Sequence, residues 1–138
     1  MKTSAGFTLI EIMLVVSIIA VIVAIAIPQL VRSRAGANES NAICALRTIS
    51  QGQTSFRDNY RRYGQLGELD DDDPPYVDGE LADGEKQGYI FATPVVGQFE
   101  YQCIATPIIP GKTGTRSFCV DESAAIYEGP CGTGTPIE

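Results

Sequence analysis

The sequence predicts an α+β fold in which one long N-terminal helix packs on a small antiparallel β-sheet. Three observations predict it: an almost wholly apolar run over residues 7–31, a stripe at helical spacing that continues to about Tyr63, and short β-like segments between Gly and Pro clusters from Tyr89 onward. A chain of 138 residues has room for one small domain and one added helix, but not for a second full domain.

The apolar run has the length of a membrane-spanning helix. Between Phe7 and Ile27 the polar residues are Thr8, Glu11 and Ser17. A helix rises about 1.5 Å per residue, so this segment spans roughly 30 Å, the thickness of a bilayer's hydrocarbon core. A buried core helix is a poor alternative, because the run is apolar all round and the rest of the chain is too small to enclose it. The hydroxyl groups of Thr8 and Ser17 are expected to bond to carbonyl groups of the preceding turn.

The order of small and apolar residues argues against an ordinary secretory signal. Such a signal has charged residues first, a shorter apolar stretch next and small residues at the cleavage site last. Here Ala5 and Gly6 precede the apolar run, and the run is too long. We therefore expect a short leader over residues 1–6 and a membrane-spanning helix over residues 7–31.

Beyond Pro28 the helical pattern continues with a different character. A proline inside a helix removes one backbone hydrogen bond and bends the axis. The pattern then becomes amphipathic, with charged residues on the other side of the helix. One helix from about Phe7 to about Tyr60 is predicted, and its amphipathic part is assigned to residues 32–63. The stripe consists of Ala35, Ala42, Leu46, Ile49, Gln53, Phe56, Tyr60 and Tyr63.

Residues 32–138 are expected to form a globular head. After the amphipathic helix, glycines and an acidic stretch predict a loop over residues 64–88. An antiparallel sheet is expected within residues 89–127, and a C-terminal loop over residues 128–138. The β-like segments are Tyr89–Thr93, Gln98–Thr106, Arg116–Asp121 and Ala124–Tyr127, with a hairpin loop at Pro110–Gly114.

The four cysteines predict disulfides rather than a metal or redox site. No two of them have the two-residue spacing of a zinc knuckle or a thioredoxin-like motif. An even number in a small head behind a membrane segment is typical of an oxidising compartment. Four cysteines allow three connectivities. The pairing we favour joins Cys119 to Cys131, which closes a short C-terminal loop, and Cys44 to Cys103, which joins the sheet to the helix.

Composition argues against several functional classes. A formal charge of −7 and a pI near 4.5 disfavour nucleic acid as a partner, since a nucleic-acid-binding surface needs clustered Lys and Arg. The chain has no His, the commonest general base and transition-metal ligand, and we predict no catalytic residue, metal site or cofactor. Asp70–Asp73 is interpreted as a solvated loop, because consecutive Asp residues before Pro-Pro do not match the alternating ligands of a calcium loop.

The segment GFTLIE at residues 6–11, followed by the apolar run and Pro28, resembles the processing site of type IV prepilins and of type II secretion pseudopilins. The resemblance in detail covers about the first quarter of the chain, and the head resembles pilin heads in general layout. It implies that a membrane-bound prepilin peptidase and methyltransferase cuts after Gly6 at the cytoplasmic face. Phe7 would then become the N-terminus and be methylated on its amine.

The same resemblance assigns subunit addition to Glu11. A carboxylate in a hydrocarbon-facing segment costs up to about 2.5–3.5 kcal/mol at the bilayer centre and less near an end. In the mature chain no Lys or Arg lies within a turn or two of Glu11, so the nearest cation would be the α-amine of Phe7, its own or a neighbour's. These two charges would then find partners on assembly. The resemblance also makes Pro28 a hinge candidate.

The favoured function is therefore a structural subunit of a type IV pilus-like filament, with no enzymatic activity. The resemblance implies a reservoir form in the lipid of the bacterial inner membrane, with a periplasmic head, and later polymerisation through the N-terminal helix at an inner-membrane assembly platform. Identical subunits would join by contacts that do not close into a ring. One alternative is a type II secretion pseudopilin in a periplasmic pseudopilus. The other is a membrane-anchored binding domain that never polymerises, which failure of a prepilin peptidase to cut after Gly6 would favour.

Overall fold

The fold of residues 6–137 is given by a computed structural model and begins with one long helix. This helix, α1, has 52 residues and spans Leu9–Tyr60. The predicted helix from about Phe7 is therefore confirmed, with a start two residues later. The predicted extension of its amphipathic part to residue 63 is wrong, because Arg61 takes a positive φ of 58° and leaves the helical path.

The chain falls into two units, which divide between Ser33 and Arg34. In the first unit the large apolar side chains, from Phe7 to Leu30, are at least 43% exposed. This part of α1 is long and apolar enough to cross a membrane. A helix surface that is apolar all round is stable in lipid or against other apolar helices, and not in water.

The second unit contains a six-stranded β-sheet whose neighbouring strands are all antiparallel. The strands lie side by side in the order in which they occur in the sequence. Together with α1 this sheet confirms the predicted α+β fold. The strands are β1 (Glu85–Lys86), β2 (Tyr89–Val96), β3 (Tyr101–Pro107), β4 (Phe118–Asp121), β5 (Ile126–Glu128) and β6 (Thr135–Ile137).

The four predicted β-like segments correspond to β2 to β5, whereas the two predicted loops contain structure that was not expected. The loop over 64–88 includes a 3₁₀ turn at Gly67–Leu69, a short helix α2 at Gly79–Ala82, and β1. The C-terminal loop over 128–138 includes β6. β1 has two residues, too few for side-chain alternation to reveal it. β6 carries a proline, which an edge strand tolerates but which argues against a strand in the sequence.

The hydrophobic core lies between α1 and one face of the sheet. Alternate residues of β2, β3 and β4, and Ile126 of β5, point to this face, as the side-chain period of a strand requires. The predicted stripe is buried at every position except Tyr60, which is 50% exposed and donates its hydroxyl hydrogen to Asp72 Oδ1 at 2.7 Å. Core residues from α1 are Ala42, Ala45, Leu46, Ile49 and Phe56, and those from the sheet are Tyr89, Phe91, Tyr101, Cys103, Ala105, Phe118, Val120 and Ile126.

One of the two favoured disulfides is formed. Cys119 and Cys131 are joined, with Cα atoms 5.2 Å apart and a sequence separation of 12. The pairing of Cys44 with Cys103 is wrong, and both are free thiols. Cys44 is exposed on the solvent side of α1, whereas Cys103 faces the core from β3. In β4, Val120 also faces the core, so its neighbour Cys119 points to the other face of the sheet, where Cys131 reaches it.

Candidate processing and assembly site

The first turn of α1 is closed by reciprocal hydrogen bonds between Thr8 and Glu11. The backbone N–H of Glu11 donates to Thr8 Oγ1 at 3.3 Å. In return, Glu11 Oε2 accepts from the backbone N–H of Thr8 at 2.9 Å and from its hydroxyl at 2.8 Å. This is a capping box, in which a threonine before the helix and a glutamate three residues later satisfy each other's free donors.

The capping box corrects one expectation and leaves another intact. Thr8 does not bond to a carbonyl of a preceding turn, because it precedes the first turn of α1. Ser17 does so as expected, with its hydroxyl donating to the Met13 carbonyl at 2.7 Å. The role of Thr8 could have been found in the sequence, since Ser or Thr followed three residues later by Glu is the signature of a capping box.

Only one oxygen of the Glu11 carboxylate is used in this arrangement. Oε2 accepts both bonds from Thr8, whereas Oε1 accepts none from residues 6–137. The site therefore holds the carboxylate at the start of α1 and leaves one oxygen open to a donor from elsewhere. An ionised carboxylate can accept several hydrogen bonds at once, so a cation could be added without breaking the capping box.

Gly6 and Phe7 lie ahead of α1, outside regular secondary structure, and both are exposed. Of the predicted leader, residues 1–6, only Gly6 belongs to the described part of the chain. The Phe7 side chain is 83% exposed. Phe7 and Glu11 line a mostly apolar groove of about 360 Å³ together with Ile10, Ile12, Leu14 and Val15. The predicted cleavage position is thus accessible backbone, and the predicted assembly residue lies one helical turn away.

Pro28 lies inside α1, four residues after Ala24. Proline has no N–H to donate, so the Ala24 carbonyl loses its helical partner. The helix continues on both sides of Pro28, which leaves its role as a hinge a prediction. Gln29, Arg32 and Ser33 follow it as polar residues at the end of the apolar segment.

The remaining expectations about sites concern metals. Among residues 6–137, no group of three or more His, Cys, Asp or Glu side chains is arranged to hold a metal ion. Asp70, Asp71 and Asp73 are exposed, and Asp72 accepts the hydrogen bond from Tyr60.

Two comparisons with known proteins bear on this site. The family model of the prokaryotic N-terminal methylation motif matches residues 1–27. The chain is also similar to the type IV major pilin protein PilA of Myxococcus xanthus (strain DK1622), with 43% identity over 61 residues. Those residues are 44% of this chain and span 28% of the length of that relative. The motif match thus covers the capping box, the accessible Gly6–Phe7 bond and the apolar helix.

Proposed function

We propose that this chain is a type IV pilin-like protein, a structural subunit rather than an enzyme, and the precursor of a pilus-like filament subunit. The observation that carries the proposal is the exposed apolar segment of α1 directly after a methylation motif. Such a segment is stable in a bilayer before assembly and among identical apolar helices afterwards. Similarity to a major pilin favours an extended pilus over a secretion pseudopilus.

In this proposal, processing precedes assembly. A prepilin peptidase and methyltransferase cuts the accessible bond after Gly6 and methylates the amine of Phe7. The apolar part of α1 then holds the subunit in the bacterial inner membrane with the head in the periplasm. From there an inner-membrane assembly platform adds subunits to the filament through their N-terminal helices.

Glu11 is proposed to guide each addition. In the membrane, Thr8 supplies two donors to its carboxylate, which lowers the cost of holding this charge near lipid. Cleavage creates a cation, the amine of Phe7, at the same end of the helix. When subunits stack with an axial shift, the Phe7 amine of one copy approaches the open Oε1 of the next. A lone ammonium among apolar helices costs several kcal/mol, so a neighbour without this carboxylate would be disfavoured.

Pro28 is proposed to act as a hinge during the same step. The Ala24 carbonyl already lacks a helical donor. Unwinding the helix at Pro28 would therefore break fewer backbone hydrogen bonds than unwinding it elsewhere in the apolar segment. Opening at this position would let the apolar segment and the head adjust separately as the subunit leaves the bilayer.

Mass spectrometry of the subunit from sheared filaments tests the processing step. We expect an N-terminus at Phe7 carrying one added methyl group. A filament subunit that begins at Met1, or beyond Ile27, would contradict the proposal.

Substitution of Glu11 tests the assembly step. Glu11→Ala and Glu11→Gln should enter the membrane and be cut after Gly6, yet be depleted from filaments, because neither provides a charge for the Phe7 amine. Ser17→Ala is the matched control, since it removes another polar group from the same helix. The measurement is the ratio of sheared to membrane-bound subunit beside a leader-cleavage assay. Normal filament yield from either Glu11 variant would rule out charge pairing at this residue.

A further inference from the structure

A groove in the head lies beside the C-terminal turn of α1 and combines positive charge with an exposed ring. We name it the distal groove; its volume is about 390 Å³, and it is lined by Arg57, Asp58, Arg61, Gln98 and Phe99. Phe99, in the turn between β2 and β3, is 73% exposed. Arg and aromatic side chains are enriched at protein interfaces, where a ring supplies contact area and a guanidinium supplies directed hydrogen bonds.

The positive charge of the distal groove is not neutralised within the head. Among residues 6–137, Arg57 and Arg61 form no ion pair, and the side chain of Arg57 donates to the Tyr63 hydroxyl at 2.9 Å. Asp58 is the one carboxylate in the lining, so two guanidinium groups face one negative charge. In a chain with a formal charge of −7, this groove favours an acidic partner.

The same head contains an acidic segment that ends in two prolines. We name Asp70–Pro75 the acidic loop: it has four consecutive aspartates followed by two exposed prolines. Asp72 accepts a hydrogen bond from Tyr60, but no aspartate of this loop is in an ion pair with any residue that the structure describes. Its carboxylates complement Arg57 and Arg61, and its prolines offer an apolar surface to Phe99.

The distal groove and the acidic loop flank the same turn of α1 on different sides. Asn59 and Tyr60 face the acidic-loop side, where they donate to the Tyr76 hydroxyl at 2.6 Å and to Asp72 at 2.7 Å. Arg57 and Asp58 face the groove. Successive helix residues are about 100° apart, which places Asn59 roughly opposite Arg57 and Tyr60 roughly opposite Asp58. Tyr60 lies on the same side of α1 as Arg57, and it lines a second groove with Arg61 and Gln98.

We infer that the distal groove of one copy binds the acidic loop of a neighbouring copy in the filament. The inference rests on the proposed function. Two different patches at the same level of α1 form a head-to-tail contact, which propagates from copy to copy instead of closing a dimer. Carboxylates of the loop pair with Arg57 and Arg61, and its prolines cover Phe99. The contact offsets the repulsion between heads that all carry net negative charge.

Charge exchange in the full chain, expressed in filament-forming cells, tests the contact. Arg61→Glu and Asp71→Lys each place like charges opposite one another, and each should lower the yield of sheared filaments roughly tenfold. Both substitutions in one chain restore opposite charges and should restore the yield. Arg47→Glu is the matched control, because Arg47 of α1 is likewise exposed and forms no ion pair within the part of the chain that the structure describes, but lies outside the groove. Phe99→Ala should lower the yield while leaving the protease resistance of the membrane-bound subunit unchanged.

Each result decides between the possibilities. Loss in both single variants with recovery in the double variant supports the contact, and that recovery also shows that misfolding did not cause the loss. Normal yield from either single variant, or no recovery in the double variant, overturns the contact while the filament function stands. If the unaltered chain forms no filaments, the proposed function and this contact are both overturned.

Discussion

Glu39 on α1 and Arg116 before β4 form an ion pair that joins the helix to the sheet. Glu39 Oε2 lies 2.8 Å from both Nε and Nη2 of Arg116, and Glu39 is 7% exposed. Its other oxygen accepts from the backbone N–H of Thr115 at 2.8 Å and from the Thr115 hydroxyl at 2.7 Å. Arg116 also contacts Glu128 of β5 at 3.0 Å. Glu39 and Arg116 together thus connect α1 to the segment before β4 and to β5.

The head should fold without the apolar segment. Residues 34–138 form one of the two units and contain the whole core cluster. We expect this fragment, made in an oxidising compartment, to be monomeric and to unfold cooperatively, as circular dichroism and size-exclusion chromatography would reveal. A fragment that stays unfolded there would show that the apolar segment is needed for the fold.

Removing the Glu39 carboxylate should destabilise that fragment more than removing its exposed counterpart. Glu39→Ala leaves the donors of Thr115 unpaired and should lower the free energy of unfolding by about 2 kcal/mol, below the full cost of breaking a buried pair because Arg116 remains partly solvated. Glu128→Ala removes an exposed partner of the same arginine and should cost less than about 1 kcal/mol. Urea unfolding measures both. Equal losses would contradict the role assigned to Glu39.

Stability should fall in acid. Burial raises the pKa of Glu39, but the hydrogen bonds from Thr115 and Arg116 and the charge of Arg116 outweigh it, so the pKa is lowered overall. The hydrogen bond from Lys86 is the main cause that lowers the pKa of Asp78. A carboxyl group with a lowered pKa stabilises the fold above its unfolded pKa, and that contribution disappears as pH falls through the folded value. Unfolding free energy should therefore decline below about pH 4, less steeply in Glu39→Gln.

Thiol labelling should distinguish three states of the cysteines. In the folded head a maleimide should modify Cys44 alone, because Cys103 is buried and burial raises the pKa of its thiol to about 12. Denaturation should expose Cys103, and reduction should then release Cys119 and Cys131. By restricting the unfolded chain, this disulfide should raise the free energy of unfolding by roughly 3 kcal/mol. A mass spectrum of oxidised protein that shows Cys44 and Cys103 joined would contradict this assignment.

Two buried tyrosines should respond differently to loss of the hydroxyl group. Tyr89 donates its hydroxyl hydrogen to the Arg116 carbonyl at 2.8 Å, so Tyr89→Phe should cost about 1 kcal/mol of unfolding free energy. The hydroxyl of Tyr101 is buried without a hydrogen-bond partner among residues 6–137. Tyr101→Phe should be neutral or stabilising, since burying an unpaired hydroxyl is unfavourable. A larger loss for Tyr101→Phe in a thermal or urea melt would refute the distinction.

Local patterns in the sequence predicted the helix and four strands, because apolar spacing in α1 and β-branched or aromatic content in β2 to β5 are local properties. Thr8 and Glu11 were also close enough for their pairing to be foreseeable. Glu39 and Arg116 were not, since nothing local indicates which of several charged residues in the chain will meet 77 positions apart. The pairing of Cys44 with Cys103 could have been rejected from the sequence. The predicted stripe includes Ala42 and Leu46, two positions before and after Cys44, which places Cys44 on the opposite side of the helix.

The sequential order of the strands has a consequence for the growth of the sheet. Each strand from β2 to β6 is added beside the strand made just before it, so every pairing closes a short loop at little entropic cost. During synthesis from the N-terminus, the strand made most recently is therefore the edge strand of the growing sheet, and the next strand pairs with it. Among residues 6–137, β6 is the last strand in chain order, and the disulfide from Cys131 back to Cys119 ties the segment just before β6 to β4.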